Sequence, residues 1–334
     1  MDRANRAYEA LHRLGLTRLS YAASDRQRVL SYHDVLPDGL RRASAADALT
    51  VSASVLRRQL QDIARHRRFS HILGEPGTVI VTFDDGNRNN FECARPILAE
   101  LGIRAYFFVP LETALAGWLA WPSLVALWCE RSAPGLKPPG LAEAAIDETP
   151  GARERAGAVL FAAASRDRAL RRAICAAIEP WQAELQAASE HARLRYSAMS
   201  RVELEQLKRE GHFIGAHSRS HDVLSALTPE DLRADFDACA AAIGEVYNTD
   251  LFCYPFGGPG EVDDAVVAQC RASGFSAAFA HVPTAWAPEW GAFGLPRIPM
   301  TEDHGPAAVH ARISGLSHFL KRMAREVPRQ RVRP

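Results

Sequence analysis

The chain has 334 residues, enough for one large domain or two ordinary ones. Hydrophobic residues make up 47% and charged residues 24%, which allows a core of normal size and excludes a disordered chain. The formal net charge of +1 excludes a strong whole-molecule pull toward nucleic acid, and the basic stretches at 65–68 and 321–333 read as solvated helix faces.

Residues 1–20 alternate charged and apolar side chains, unlike the uninterrupted apolar run of a signal peptide. No stretch approaches the ~20 apolar residues that span a bilayer. The six cysteines, Cys93, Cys129, Cys175, Cys239, Cys253 and Cys270, form no CxxC pair. Free thiols without an export signal are expected of a cytoplasmic protein.

Strand and helix signals alternate along the chain, the pattern of an α/β fold. A short strand is predicted at 28–32, ending at His33, and a helix at 52–64. The apolar, β-branched run 78–83 predicts a buried parallel strand. A helix over 90–101 follows, with Pro96 inside it and Gly102 as its stop, then a strand at 104–109. In the second half, Ser200 and Glu203 predict a capping box for a helix running to Glu210. A strand at 212–216 ends at His217. Thr228-Pro229-Glu230-Asp231 starts a helix that runs to about Val246. Further elements are expected at 251–254, 263–272, 276–280 and 295–298, with a terminal helix over 306–325.

Residues 118–197 differ: they are rich in Ala, Arg and Glu and carry no strand signal. Trp121, Leu124, Val125 and Trp128 have helical spacing, and two or three further helices are expected. This reads as a helical insertion, bounded at 113–198, in a single domain spanning 1–334.

Several predicted strands end in groups that can do chemistry. Thr82-Phe83-Asp84-Asp85-Gly86 places two carboxylates at the mouth of a buried strand. Such a pair is costly without a neutralising cation, and the C-terminal strand ends of α/β sheets are where ligands bind. Asp-Gly is also a common turn dipeptide. His217-Ser218-Arg219-Ser220-His221 offers two imidazoles that can face one ion from a helical turn or tight loop. Both clusters follow strands and so emerge on one rim, which points to a metal site. In Tyr254-Pro255-Phe256-Gly257, Pro and Gly make a bend that can expose backbone N–H groups to an oxyanion. Ser31-Tyr32-His33 ends another strand in a histidine. Leu295-Pro296-Arg297-Ile298-Pro299 sets an arginine in an apolar strand, where burial calls for a carboxylate such as Asp84.

Their order and strand-end placement resemble the polysaccharide deacetylase family, also called the NodB-homology or carbohydrate esterase four family. The resemblance spans residues 28–112 and 198–300. It implies a distorted (β/α) barrel and removal of acyl groups, usually acetyl, from amino sugars. It implies Asp85, His217 and His221 as metal ligands, Asp84 as general base and the Phe256 backbone N–H in the oxyanion site, with Tyr254 alongside. The chemistry agrees: a divalent ion polarises the amide carbonyl and acidifies a bound water, the nucleophile, toward a pKa of ~7, and an unligated carboxylate takes its proton. Zinc is the first choice for such ligands; nickel, cobalt and manganese also suit them.

Two departures stand out. Cys253 occupies the position of the family's motif arginine, and Arg297 is the expected replacement. The late Leu-x-x-His motif that supplies the catalytic acid is absent. His33 is expected in that role, as in circularly permuted members with an N-terminal Tyr-His strand. The expected partner is an N-acylated amino sugar or glycan precursor, with no nucleic acid and no transmembrane segment. Two other readings share the sequence: hydrolysis of a small non-sugar amide or cyclic imide, and a sugar-binding module that has lost turnover.

Overall fold

The computed structural model describes residues 3–17, 25–40, 49–132, 135, 146–149, 151–281 and 288–316. Its strands are β1 (Arg28–Tyr32), β2 (Val35–Leu36), β3 (Val51–Ser52), β4 (Arg68–Phe69), β5 (Thr78–Phe83), β6 (Tyr106–Val109), β7 (Phe213–Ala216), β8 (Leu251–Cys253), β9 (Ala277–Ala280), β10 (Leu295–Pro296) and β11 (Ile298–Pro299). Eight of them pair in parallel in the order β10-β9-β8-β7-β6-β5-β1-β11, with β4 against the start of β5; β2 and β3 form a separate pair. Leu295 pairs with Phe279 at one end of that order, and Ile298 pairs with Leu30 at the other. Only Arg297 separates the two short strands, so one segment joins the ends of the sheet into a nearly closed parallel barrel ringed by helices.

Side-chain alternation along each strand divides the interior from the outer layer. Val29, Ile80, Tyr106, Phe108, Leu251, Cys253 and Phe279 cluster together inside the barrel. Residues of the opposite parity, among them Leu30, Val81, Phe107, Ile214, Phe252 and Tyr254, join the larger core beneath the helices. Because every strand is parallel, all the C-terminal ends open on one rim. Interior parity at that rim falls on His33, Asp84, His217 and His281.

The helices follow their local signals. Ser200 and Glu203 form both halves of the capping box on Arg201–Arg209. Thr228 caps Pro229–Ala241, which stops short of Val246 as the chain turns through Gly244 at φ 91°. The segment at 90–101 opens as a π-turn, Asn90–Ala94, and becomes α-helical over Arg95–Glu100, where Pro96 in the first turn needs no N–H. The strand expected at 295–298 is split at Arg297. The last helix ends at Ile313, and the rest of the predicted 306–325 span lies largely outside the described residues. A helix that the sequence reading did not assign, Arg3–Arg13, sets Tyr8 against Ala307, Ala308 and Ala311.

Between β6 and β7, helices Trp121–Arg131, Ala152–Arg166, Arg168–Ala188 and Glu190–Arg195 carry a core of their own that includes Trp121, Trp128, Leu160 and Ile178. The returning chain pins the rim: Met199 N–H donates to Gly86 O at 2.9 Å and Arg88 N–H to Ser197 O at 2.8 Å. Among the described residues no helix is long and apolar enough to cross a membrane.

Gly215 stands on interior parity two residues before His217. A Cβ there would lie 2.6 Å from Phe108 Cε1 and 3.0 Å from Leu251 O. Gly215→Ala is therefore expected to lower stability by about 1–3 kcal/mol in urea unfolding; a neutral result would show that Phe108 can move aside.

Candidate metal centre and active site

Asp85, His217 and His221 meet at the rim although they leave two different strands. Asp85 Oδ1 lies 3.1 Å from His221 Nε2 and 3.5 Å from His217 Nε2. Ligands held ~2.0–2.1 Å from a tetrahedral ion stand about 3.3–3.4 Å apart, so these spacings fit a first-row divalent cation. Asp85 Oδ1 and His221 Nδ1 are buried with no aligned hydrogen-bond partner. A buried carboxylate oxygen in that state is costly, and a cation is what the donor set would satisfy. His217 Nδ1 contacts Cys253 O at 2.7 Å, which fixes the ring and leaves Nε2 to face Asp85. Burial pushes Asp85 up, but His221 and His217 outweigh it and hold the carboxyl well below its usual range.

The backbone turns sharply at each of these points. Asp85 (φ 72°), Ser218 (φ 59°), His221 (φ 58°) and Phe256 (φ 60°) are the non-glycine residues in the left-handed region among those described. Such conformations cost of order 1–3 kcal/mol each and persist where the surroundings impose them. Asp235 is one such support: both of its carboxylate oxygens accept Arg219 N–H at 3.0 Å, between the two histidines. Trp121 is another, its indole N–H donating to His221 O at 2.8 Å. The insertion, assigned no chemistry from sequence, therefore braces the histidine loop.

Asp84 faces the barrel interior and forms a two-point fork with Arg297: Nη1 to Oδ1 and Nη2 to Oδ2, both 2.7 Å. Arg297 Nη1 also donates to Thr82 Oγ1 at 3.1 Å. Both residues are almost wholly buried. Burial alone would raise Asp84, but Arg297, then His217 and His33, bring its pKa down to about 2. His33 Nε2 stands 3.7 Å from Asp84 Oδ2. Cys253 is buried with Sγ 3.9 Å from Asp84 Oδ1. Phe256 packs its ring 4.8 Å from that of His221.

Tyr254 goes elsewhere: its ring lies in the outer core, 5.5 Å from Phe252, apart from the metal ligands. His281 is a rim residue that the sequence reading passed over. Its ring is 5.7 Å from His33, and its ligand atom groups with those of His33 and Asp84. Burial, then the charges of Arg297 and His33, pushes it down to about 3. Its position directly after a predicted strand was the available signal.

Arg297→Ala leaves a buried carboxylate without its counter-charge and is expected to cost about 3–5 kcal/mol in urea unfolding. A loss under about 1 kcal/mol would mean that the fork is not what holds Asp84. Burial raises Asp235 to about 7, against the lowering effect of the Arg219 N–H. The folded state therefore binds this proton more tightly than the unfolded chain, where Asp titrates near ~3.9. The stabilisation is full below about 4 and is lost as pH rises toward about 7. The stability of the wild type relative to Asp235→Asn should accordingly fall between pH 4 and pH 8; a constant difference contradicts the assignment.

A polysaccharide deacetylase family model matches residues 177–278, which contain the two-histidine and Tyr-Pro-Phe-Gly motifs but not Asp84-Asp85. No curated protein matches the chain. Among solved structures, the Streptococcus pyogenes deacetylase PplD, in complex with acetate, has a TM-score of 0.55 at 13% identity, covering 87% of this chain and 99% of that one. IcaB from Ammonifex degensii has a TM-score of 0.51 at 18% identity, covering 87% and 97%. The de-N-acetylase from Aggregatibacter actinomycetemcomitans has a TM-score of 0.52 at 13% identity, covering 86% and 100%. At such identities these structures establish the fold. The matched segment carries two of the motifs, and the barrel of these deacetylase structures extends over most of the chain.

Proposed function

We propose that the protein is a metal-dependent hydrolase that removes an N-acetyl group from an amino sugar in a glycan or glycan precursor. The observation that carries this reading is the division of two adjacent carboxylates. Asp85 meets His217 and His221, whereas Asp84 is turned inward and held ionised by Arg297. One side chain is thus available to a cation and its neighbour to a proton.

An ion held by Asp85, His217 and His221 would supply Lewis-acid polarisation of the acyl carbonyl and an acidified water. The remaining roles fall to the chain's own groups. Asp84 accepts the proton from the attacking water. A carboxylate with a pKa of about 2 is a weak base, so orientation by the Arg297 fork matters as much as basicity. His33, whose Nε2 stands 3.7 Å from Asp84 Oδ2 on the same rim, delivers a proton to the leaving nitrogen. The N–H of Phe256, in its left-handed bend, is assigned to the developing oxyanion. The donor set favours zinc, with nickel, cobalt and manganese as other occupants.

Acetate release from a panel of N-acetylated amino sugars, with and without chelator, tests the reading. Turnover that requires added metal supports it; release by no member of the panel ends it. Asp84→Asn and His33→Ala should each lower turnover about 10²–10⁴-fold while bound metal stays at the wild-type level. Full activity in either variant removes that residue from its role.

A further inference from the structure

Beside the metal centre, a cleft of about 500 Å³ opens between the insertion and the barrel. That volume is within the range of small-molecule sites. Two docked bodies would ordinarily close such a space with apolar packing. Here one face of Arg168–Ala188 lines it with Arg168, Arg171, Arg172 and Cys175, at helical spacing, while the barrel contributes Arg219 and Ser220 from the histidine loop. Trp121, which braces His221, belongs to the same wall, so the cleft and the metal centre share a partition.

The charges in the cleft do not cancel. Asp222 accepts from Arg171 and lies 3.5 Å from Arg168, which also reaches Asp231 at 3.1 Å. Arg219 meets Glu112 at 3.1 Å. Four guanidinium groups thus stand against three ion-paired carboxylates and the buried Asp235, whose carboxyl burial pushes up to about 7; Arg172 forms no salt bridge among the described residues and feels Asp231 only at longer range. Each guanidinium carries five N–H donors, and those contacts engage only a few of them. The carboxylates hold the forks in place, leaving a preorganised set of donors with surplus positive charge. A dianion with three peripheral oxygens matches both the surplus and the donors contributed from two sides of the cleft. Trp118 stands 39% exposed on the same lining, an aromatic face for a sugar ring next to that anion.

We propose that this cleft is a subsite for a phosphoryl group carried by the amino-sugar substrate, so that the enzyme selects phosphorylated saccharides. The proposal rests on the deacetylase reading for what the substrate is, but its binding test is independent of turnover.

The test is calorimetric titration of the full chain, in metal-loaded and chelated forms, with N-acetylglucosamine, N-acetylglucosamine 1-phosphate and inorganic pyrophosphate. The chelated wild type should bind the sugar phosphate at least about tenfold more tightly than the sugar, a difference of about 1.4 kcal/mol. Arg172→Glu should erase that preference and Arg172→Gln should reduce it. Pyrophosphate should compete with the sugar phosphate. The proposal is overturned by equal affinities for sugar and sugar phosphate, by a preference that survives Arg172→Glu, or by one that vanishes on chelation, which would place the anion at the metal centre. A phosphate preference without acetate release from any panel member supports the subsite while sinking the deacetylase reading.

Discussion

The fork between Arg297 and Asp84 is the contact on which the barrel and its chemistry both depend. Arg297 is the single residue between β10 and β11, the half-strands that join the ends of the sheet. Asp84 is the first residue beyond β5, on the opposite side of β1. Their pairing ties the closing segment to a strand in the middle of the sheet. It also keeps a buried carboxylate charged next to Asp85. Neither residue could be buried alone without a cost of several kcal/mol, so the fold and the ionisation state are secured together.

The rim shows how a regular scaffold yields an irregular site. Strand parity alone aims His33, Asp84, His217 and His281 inward. It cannot aim Asp85, which follows Asp84 directly and would face the outer layer. The left-handed turn at Asp85 corrects this, and Gly86 behind it, at φ 72°, leaves room where a Cβ would meet Val109 at 2.6 Å. The same device recurs at Ser218, His221 and Phe256. The strain is local, and backbone contacts from the insertion, from Asp235 and from Trp121 hold it.

Much of this was readable from residues. The strands at 28–32 and 78–83 were bounded correctly because each is a short apolar run between polar punctuation. The Ser200 capping box and the Thr228 cap were legible because they are local hydrogen-bond patterns. The meeting of Arg297 with Asp84 followed from the need of a buried cation for a partner. What escaped was set by tertiary geometry. The split at Arg297 depends on two different neighbouring strands competing for one segment. Tyr254 follows Cys253, which faces inward, so alternation sends its ring outward; the motif made it look like a site residue, and parity shows otherwise. His281 had the same strand-end signal as His33 but no paired motif to draw attention to it.

The insertion leaves the barrel just after β6 and returns before the helix Arg201–Arg209 that leads back to β7, so both of its ends lie at the rim where the strands terminate. A parallel barrel offers its loops to the outside on that side while the strands beneath keep their register. Changes to the helical segment would therefore alter what can approach the rim, and would leave the side chains below it aimed as they are only where Trp121 and residues 197–199 keep their contacts with His221, Arg88 and Gly86. The molecule sets a fixed hearth beneath a canopy tied to it at a few points, and diversification of selectivity can proceed wherever the canopy is not so tied.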